Sequence, residues 1–353
     1  LASPDPGAPG KRNLRHLAVA LLLGLLGLVA VVLYTGGRLD LTALKAIKLP
    51  YLLACLGLII LDWLSEAVRL TLLSRALGEQ VGVLAVLRIV FMGAFFARIT
   101  PFDSGGEPFQ IYALHRDGMS LGHATATIAV KALLHGLARV SLGILVPVWL
   151  LLTARGWRLG RAASVALYAG MTIYLAISGL IVLAVFQRGN AKKLLERLAR
   201  ARWLNRWVGE ARISRLIERL EANYRSFVAA MRQFGQERRS TVLLVGIISF
   251  LSWAAVLAVP VILVRALGGA SPVAEITATA IIFYLAVAYA PTPGSAGASE
   301  LGFATLFARF VPLPLVGVLV LAWRLLTHYL TLLLGFVVTG LSMIRRRPGQ
   351  PPQ

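Results

Sequence analysis

Stretches of about twenty apolar residues, enough to cross the hydrocarbon of a bilayer, recur along this chain, and a soluble core has no room for so many. They fall near 14–34, 51–74, 82–98, 121–153, 162–187, 241–267, 273–290 and 314–342. Of 353 residues 58% are hydrophobic and only 14% charged, and the charges collect between the apolar runs. That pattern excludes disorder and ordinary soluble globularity. The expected fold class is an all-α polytopic membrane protein with about eight full transmembrane helices. Residues 14–342 form its single transmembrane domain, 1–13 a flexible Pro- and Gly-rich tail and 343–353 a basic tail.

The net charge of +21 would point to nucleic acid in a soluble protein. Here the basic residues flank apolar spans, as loops held at anionic headgroups do, so no nucleic-acid partner is expected. The long polar segment 188–240 carries fourteen Lys or Arg against five Glu and belongs in the cytoplasm. Within it Ile213, Leu216, Ile217, Leu220, Phe227, Val228 and Met231 recur at helical spacing. This predicts an amphipathic helix on the membrane surface, with Trp203 and Trp207 as interfacial anchors.

Two segments break the spanning pattern, 100–118 and 290–310. The first opens with Thr100, Pro101, Asp103, Gly105, Gly106 and Pro108, the second with Pro291, Thr292, Pro293, Gly294 and Gly297. Broken backbone at membrane depth is tolerated only inside protein or beside a wet cavity. At an offset of 193 positions Glu107 falls on Glu300, Arg116 on Arg309, Lys131 on Arg324 and His135 on His328. Such internal repeats place broken helices near the midplane of carriers. An inverted repeat is expected: if each short segment changes the side of the chain, both termini and the 188–240 loop become cytoplasmic. Arg155, Arg158 and Arg161 are then external, against the positive-inside tendency. Segments that re-enter instead are incompatible with eight spans and that placement.

Charges inside a bilayer cost a few kcal/mol or more unless they pair or line a pathway. Asp62, Glu66 and Arg69 share one helix face, where Arg69 neutralises Glu66; that trio reads as structural. Lys131, His135 and Arg139 form a second stripe with no acid on the same helix. Their counter-charge must come from Asp103, Glu107 or Glu300, or from a lipid phosphate. Arg324 and His328, with Tyr329 beside them, repeat the device in the last span. The expected substrate-binding set is therefore Glu107, Lys131, His135, Arg139, Glu300, Arg324, His328 and Tyr329. Cys55 is the sole cysteine, and neither metal-ligand spacings nor nucleotide-binding or nucleophile motifs occur. No catalytic residue, metal or cofactor is expected.

The stretches TPFDSGGEPFQIYAL, APTPGSAGASE and WRLLTHYL, with Lys131 and Arg139, resemble the transmembrane flippase-like region of lysylphosphatidylglycerol synthase over about residues 14–342. The resemblance implies a lipid translocase of the cell membrane. Its substrate would be an anionic or aminoacylated phospholipid or a polyprenyl-phosphate glycolipid, with Glu107 and Glu300 in the two broken motifs and Arg324 in the later helix. Because the chain ends at Gln353, the soluble synthase domain of bifunctional members is expected to be absent. Two alternatives stay open: a membrane-embedded enzyme acting on a lipid-linked phosphate with Glu107 or His135 as base, and a non-transporting partner of a separate lipid synthase. Oligomeric state stays open as well.

Overall fold

A computed structural model describes residues 47–153, 210–236, 238–288 and 290–344, with isolated helical positions in 26–33 and 172–179. The expected spans at 14–34 and 162–187, the anchors Trp203 and Trp207 and most of both tails lie outside them. The described residues form helices α1 (Leu49–Ala76), α2 (Val83–Ile99), α3 (Gly106–Arg116), α4 (Leu121–Thr153), α5 (Glu210–Gln236), α6 (Arg239–Ala266), α7 (Val273–Val287), α8 (Ala298–Phe307), α9 (Leu313–Arg324) and α10 (Leu330–Ile344). A π-helical turn, Leu325–Tyr329, joins α9 to α10 without a break. The regular elements among the described residues are all helices, as the apolar runs require.

Four described helices are long and apolar enough to cross a membrane: Leu49–Ala76, Leu121–Leu150, Arg239–Ala266 and Leu313–Ser342. At 1.5 Å per residue, the 28 residues of α1 reach about 42 Å. The runs at 82–98 and 273–290, expected as full spans, are the shorter helices α2 and α7, of 17 and 15 residues. Each continues into a loop and a second helix that runs back along it. In the first pair Phe109 stacks on Phe96 with ring centroids 4.2 Å apart, a Cβ on Gly93 would strike Gln110, and Arg88 pairs with Asp117 at the open end. In the second, Gly302 lies against Val287 and Phe283, Phe307 against Phe283, and Arg309 donates to Thr279 Oγ1 at 2.7 Å. Both broken segments are therefore helical hairpins. Chain direction reverses at the Pro-Gly loop, where the sequence reading expected the segment to change sides. Glycine at 93 and 106 permits this reversal, since a Cβ at Gly106 would lie 3.0 Å from Gly93 O.

The helices α1 and α6 are both 28 residues long and pack together. Arg75-Ala76-Leu77-Gly78 ends the first and Arg265-Ala266-Leu267-Gly268 the second. Gly78 and Gly268 take φ of 80° and 83°, the left-handed stop that glycine supplies after a helix. Leu61-Asp62-Trp63 sits midway along α1 and Leu251-Ser252-Trp253 midway along α6, and Ser252 Oγ donates to the Asp62 carboxylate.

The second half of α5 docks on protein. Phe227, Ala230, Met231 and Phe234 pack with Leu73, Ala76, Leu77, Val130 and Val245. Phe227 and Met231 thus pack against protein and not against the membrane surface, because α4 offers a glycine where α5 crosses. A Cβ on Gly122 would lie 2.4 Å from Ser226 Cβ and 2.7 Å from Asn223 O. Overpacking of this kind costs about 1–3 kcal/mol. Gly122→Leu is accordingly expected to speed amide hydrogen exchange across residues 223–236 by roughly tenfold or more, equivalent to about 1.4 kcal/mol. Unchanged exchange would show that this crossing does not hold α5.

Candidate functional site

The loops at the tips of the two hairpins meet. Pro101 and Pro293 form an antiparallel backbone bridge, and the residues after each proline repeat one conformation. Phe102 and Asp103 take φ of 59° and 51°, Gly294 and Ser295 take 56° and 55°. Ser104 N donates to Pro101 O at 3.2 Å, and Ala296 N to Pro293 O at 3.1 Å. Left-handed backbone at Phe102, Asp103 and Ser295 is uncommon for residues with a Cβ, and such strain gathers at functional sites.

A cavity of about 340 Å³ adjoins these loops. Its charged and titratable lining comprises Asp62 of α1, Arg98 of α2, Asp103 of the first loop, His135 and Arg139 of α4, and Arg324 and His328 from α9 and the π turn. Trp63, Trp253, Tyr284 and Trp323 supply aromatic walls. Arg324, Thr327, His328 and Thr331 line the cavity, and the stretch that carries them includes the π turn, a feature frequent at functional sites. Arg139 lies 5.6 Å from the centre of the Trp253 ring and Arg324 5.2 Å from that of Trp323, within the range of cation–π attraction.

Arg324 is 5% exposed and joins the second hairpin. Its Nε stands 2.7 Å from Glu300 Oε1 as an ion pair, with the N–H not directed at the oxygen. It also donates to Ser299 Oγ and, at 3.4 Å, to Gly294 O. The other carboxylate oxygen, Glu300 Oε2, accepts the Gly297 amide at 2.7 Å. Gly27 packs beside it, where a Cβ would lie 3.0 Å from Gly297 Cα. Arg98 is held more loosely: it lies 3.8 Å from Asp103, and Asp103 Oδ1 and Arg98 Nε are buried without a hydrogen bond.

Behind the cavity a second cluster is well satisfied. Glu66 accepts from Lys131, from Arg69 at 2.9 Å and from Gln110 at 3.3 Å, and Lys131 also donates to Gln110 Oε1 at 2.5 Å. Arg69, 1% exposed, donates to His135 Nδ1 at 2.7 Å. Because arginine can only donate, Nδ1 must be the accepting nitrogen and Nε2 carries the proton. The Nδ1 lone pair of His135 is thus already engaged by Arg69.

Of the residues expected to bind substrate, His135, Arg139, Arg324 and His328 come together, and Asp103 and Gly294 of the motifs join them. Glu300 stands directly behind Arg324. Lys131 lies one layer back, and its carboxylate is Glu66 of α1, not Glu107. Glu107 is exposed and faces away from the cavity. Tyr329 packs with Phe95, Ile99 and Leu332 outside the lining. The sequence reading missed Arg98, which it took as the flank of a span, and the aromatic walls. It also took Asp62 as merely structural. A usable signal for Arg98 was its position immediately before the Ile-Thr-Pro break.

Fold and site together define an all-helical, multi-pass membrane protein with a charged cavity between two helical hairpins. The pattern that defines the lysylphosphatidylglycerol synthase TM region matches residues 17–335, and the chain belongs to that family. The resemblance read from the two broken motifs is thus the correct one. The chain is also 26% identical over 333 residues to a protein of Archaeoglobus fulgidus named UPF0104 membrane protein, covering 92% of this chain and 98% of that one.

Proposed function

We propose that the protein moves a phosphate-bearing membrane lipid between leaflets, with the headgroup carried in the cavity between the hairpin tips. The observation that supports this best is the convergence of Arg98, Arg139 and Arg324 with Asp62 and Asp103 on one cavity of a membrane protein. A guanidinium matches phosphate in geometry and charge, while the acids suit an amine on an aminoacylated headgroup. Two of these cations already face acids, Arg98 with Asp103 at 3.8 Å and Arg324 with Glu300 at 2.7 Å. The long, unbonded contact between Arg98 and Asp103 is the one a phosphate would most readily replace.

We further infer that the hairpins form an inverted repeat, each entering from an opposite side. The matched lengths and stops of α1 and α6, and the shared backbone conformation of the two loops after their prolines, support a repeat. With each hairpin returning to its own side, the four long helices and the apolar stretches at 14–34 and 162–187 make the crossings. The N-terminus, the 188–240 segment and Arg345–Arg347 then fall on the cytoplasmic side without an eight-span count. The enzyme reading is weakened by the exposure of Glu107 and by the engagement of His135 Nδ1 with Arg69.

The test is exchange of fluorescent phosphatidylglycerol, its lysyl derivative and a polyprenyl-phosphate sugar in vesicles containing the purified protein. Exchange of at least one lipid is expected, with Arg98→Gln slowing it roughly tenfold, as for loss of a charged hydrogen bond of about 1.4 kcal/mol. Absence of exchange from folded protein would remove the reading.

A further inference from the structure

The seam between α1 and α6 has two faces. Its inner face gives Ile59, Asp62, Trp63 and Trp253 to the charged cavity. Its outer face carries an apolar groove of about 500 Å³, lined from α1 by Leu61, Leu64 and Val68 and from α6 by Leu251 and Ala254, among others. Leu61 and Leu251 occupy matching places in the two helices, as do Leu64 and Ala254. The leucines at 61, 64 and 251 are 46%, 49% and 58% exposed, and they flank the helix midpoints where Ser252 bonds Asp62. Leu58 lines both the groove and the cavity.

We propose that this groove seats an acyl chain of the same lipid whose headgroup lies in the cavity, so that the lipid straddles the α1–α6 seam at Leu58. The inference rests on the translocase reading and adds the route by which the lipid enters. A headgroup and its chains are one molecule, so a phosphate drawn into a cavity at bilayer depth leaves its chains in hydrocarbon. The cavity must then open sideways onto an apolar surface. The seam meets that need: it is apolar outside and charged inside, and Leu58 lines both sides. Midway along two membrane-length helices, it is also equally far from both leaflets.

The test uses full-length protein in phosphatidylglycerol vesicles with a trace of phosphatidylglycerol carrying a diazirine on one acyl chain, followed by mass mapping of the photolabel. A diacylglycerol with the same labelled chain and no phosphate is the comparison probe. Phosphatidylglycerol label is expected at least fivefold denser on 58–68 and 248–255 than on the lipid-facing Leu333, Phe336 and Val337 of α10, while diacylglycerol shows no such preference. Arg98→Gln should remove most of the enrichment, and Leu251→Trp, which fills the groove from an exposed position, should do the same without altering the cavity. Equal labelling of groove and α10, equal labelling by both probes, or a groove closed to both probes by a second copy of the chain would each overturn the proposal. Groove enrichment without leaflet exchange would overturn the translocase reading and keep the lipid site. Exchange without enrichment would do the reverse.

Discussion

Arg324→Gln is expected to cut leaflet exchange by about a hundredfold or more, equivalent to about 2.7 kcal/mol, and also to lower thermal stability. The two losses have different origins. Removing one partner of a buried ion pair costs about 3–5 kcal/mol because the other charge is left uncompensated. Glu300, 1% exposed, would keep only the Gly297 amide as a charge-stabilising donor. The double variant Glu300→Gln/Arg324→Gln replaces both charges with amides of similar shape and should recover most of the stability in a detergent melting experiment. Exchange should stay absent in it, since the cavity has lost a guanidinium that meets phosphate. If exchange returns together with stability, Arg324 only holds the second hairpin, and the ligand role falls to Arg98 and Arg139.

Gly294→Val is expected to be the most damaging apolar substitution at the hairpin tips. Gly294 takes a φ of 56°, and a Cβ there would lie 2.4 Å from His328 Cε1 and 2.8 Å from Arg98 O. Left-handed backbone costs a residue with a Cβ about 1–2 kcal/mol, and overpacking adds about 1–3 kcal/mol. Together these are a large fraction of the roughly 5–15 kcal/mol that holds a typical domain. Loss of monodisperse protein in size-exclusion chromatography, or a midpoint depressed by many degrees, is the anticipated result. The corresponding position in the other loop offers the contrast. Phe102, with a φ of 59° and 53% exposed, should become slightly more stable as Phe102→Gly, because glycine removes the strain and no packed ring is lost. If Gly294→Val melts like the unaltered protein, the tips are not as closely fitted as these distances require.

Much of this architecture is written in the apolar runs, and its errors have a common physical root. A 17-residue apolar helix such as α2 reads like a short span, because hydropathy records burial and not direction. Whether the chain crosses or turns back is decided by contacts such as Gly93 against Gln110, which no window detects. The offset of 193 paired Lys131 with Arg324 usefully, since each long-helix cation reaches the returning arm of a hairpin, through Gln110 in one case and Ser299 in the other. It hid the plainer match of α1 with α6, which lies at a different offset, 190, and is carried by leucine, tryptophan and a shared Arg-Ala-Leu-Gly end. Glu107 was singled out by type and register alone. On the second arm of the first hairpin it is exposed and outside the cavity lining, and Glu66, set aside as a local partner of Arg69, is the acid that meets Lys131.

Two prolines face one another where the hairpin tips touch, and proline has no amide hydrogen to give. Neither proline can donate across the contact, so the backbone bonds of this bridge belong to the flanking residues and the contact cannot grow into a longer ladder. The cavity is thus bordered by a joint that sets the register of the two tips through a single bridge. The charged contacts at the hairpins run instead to the long helices, from Arg324 to Glu300 and Ser299 in the second and from Lys131 to Gln110 in the first.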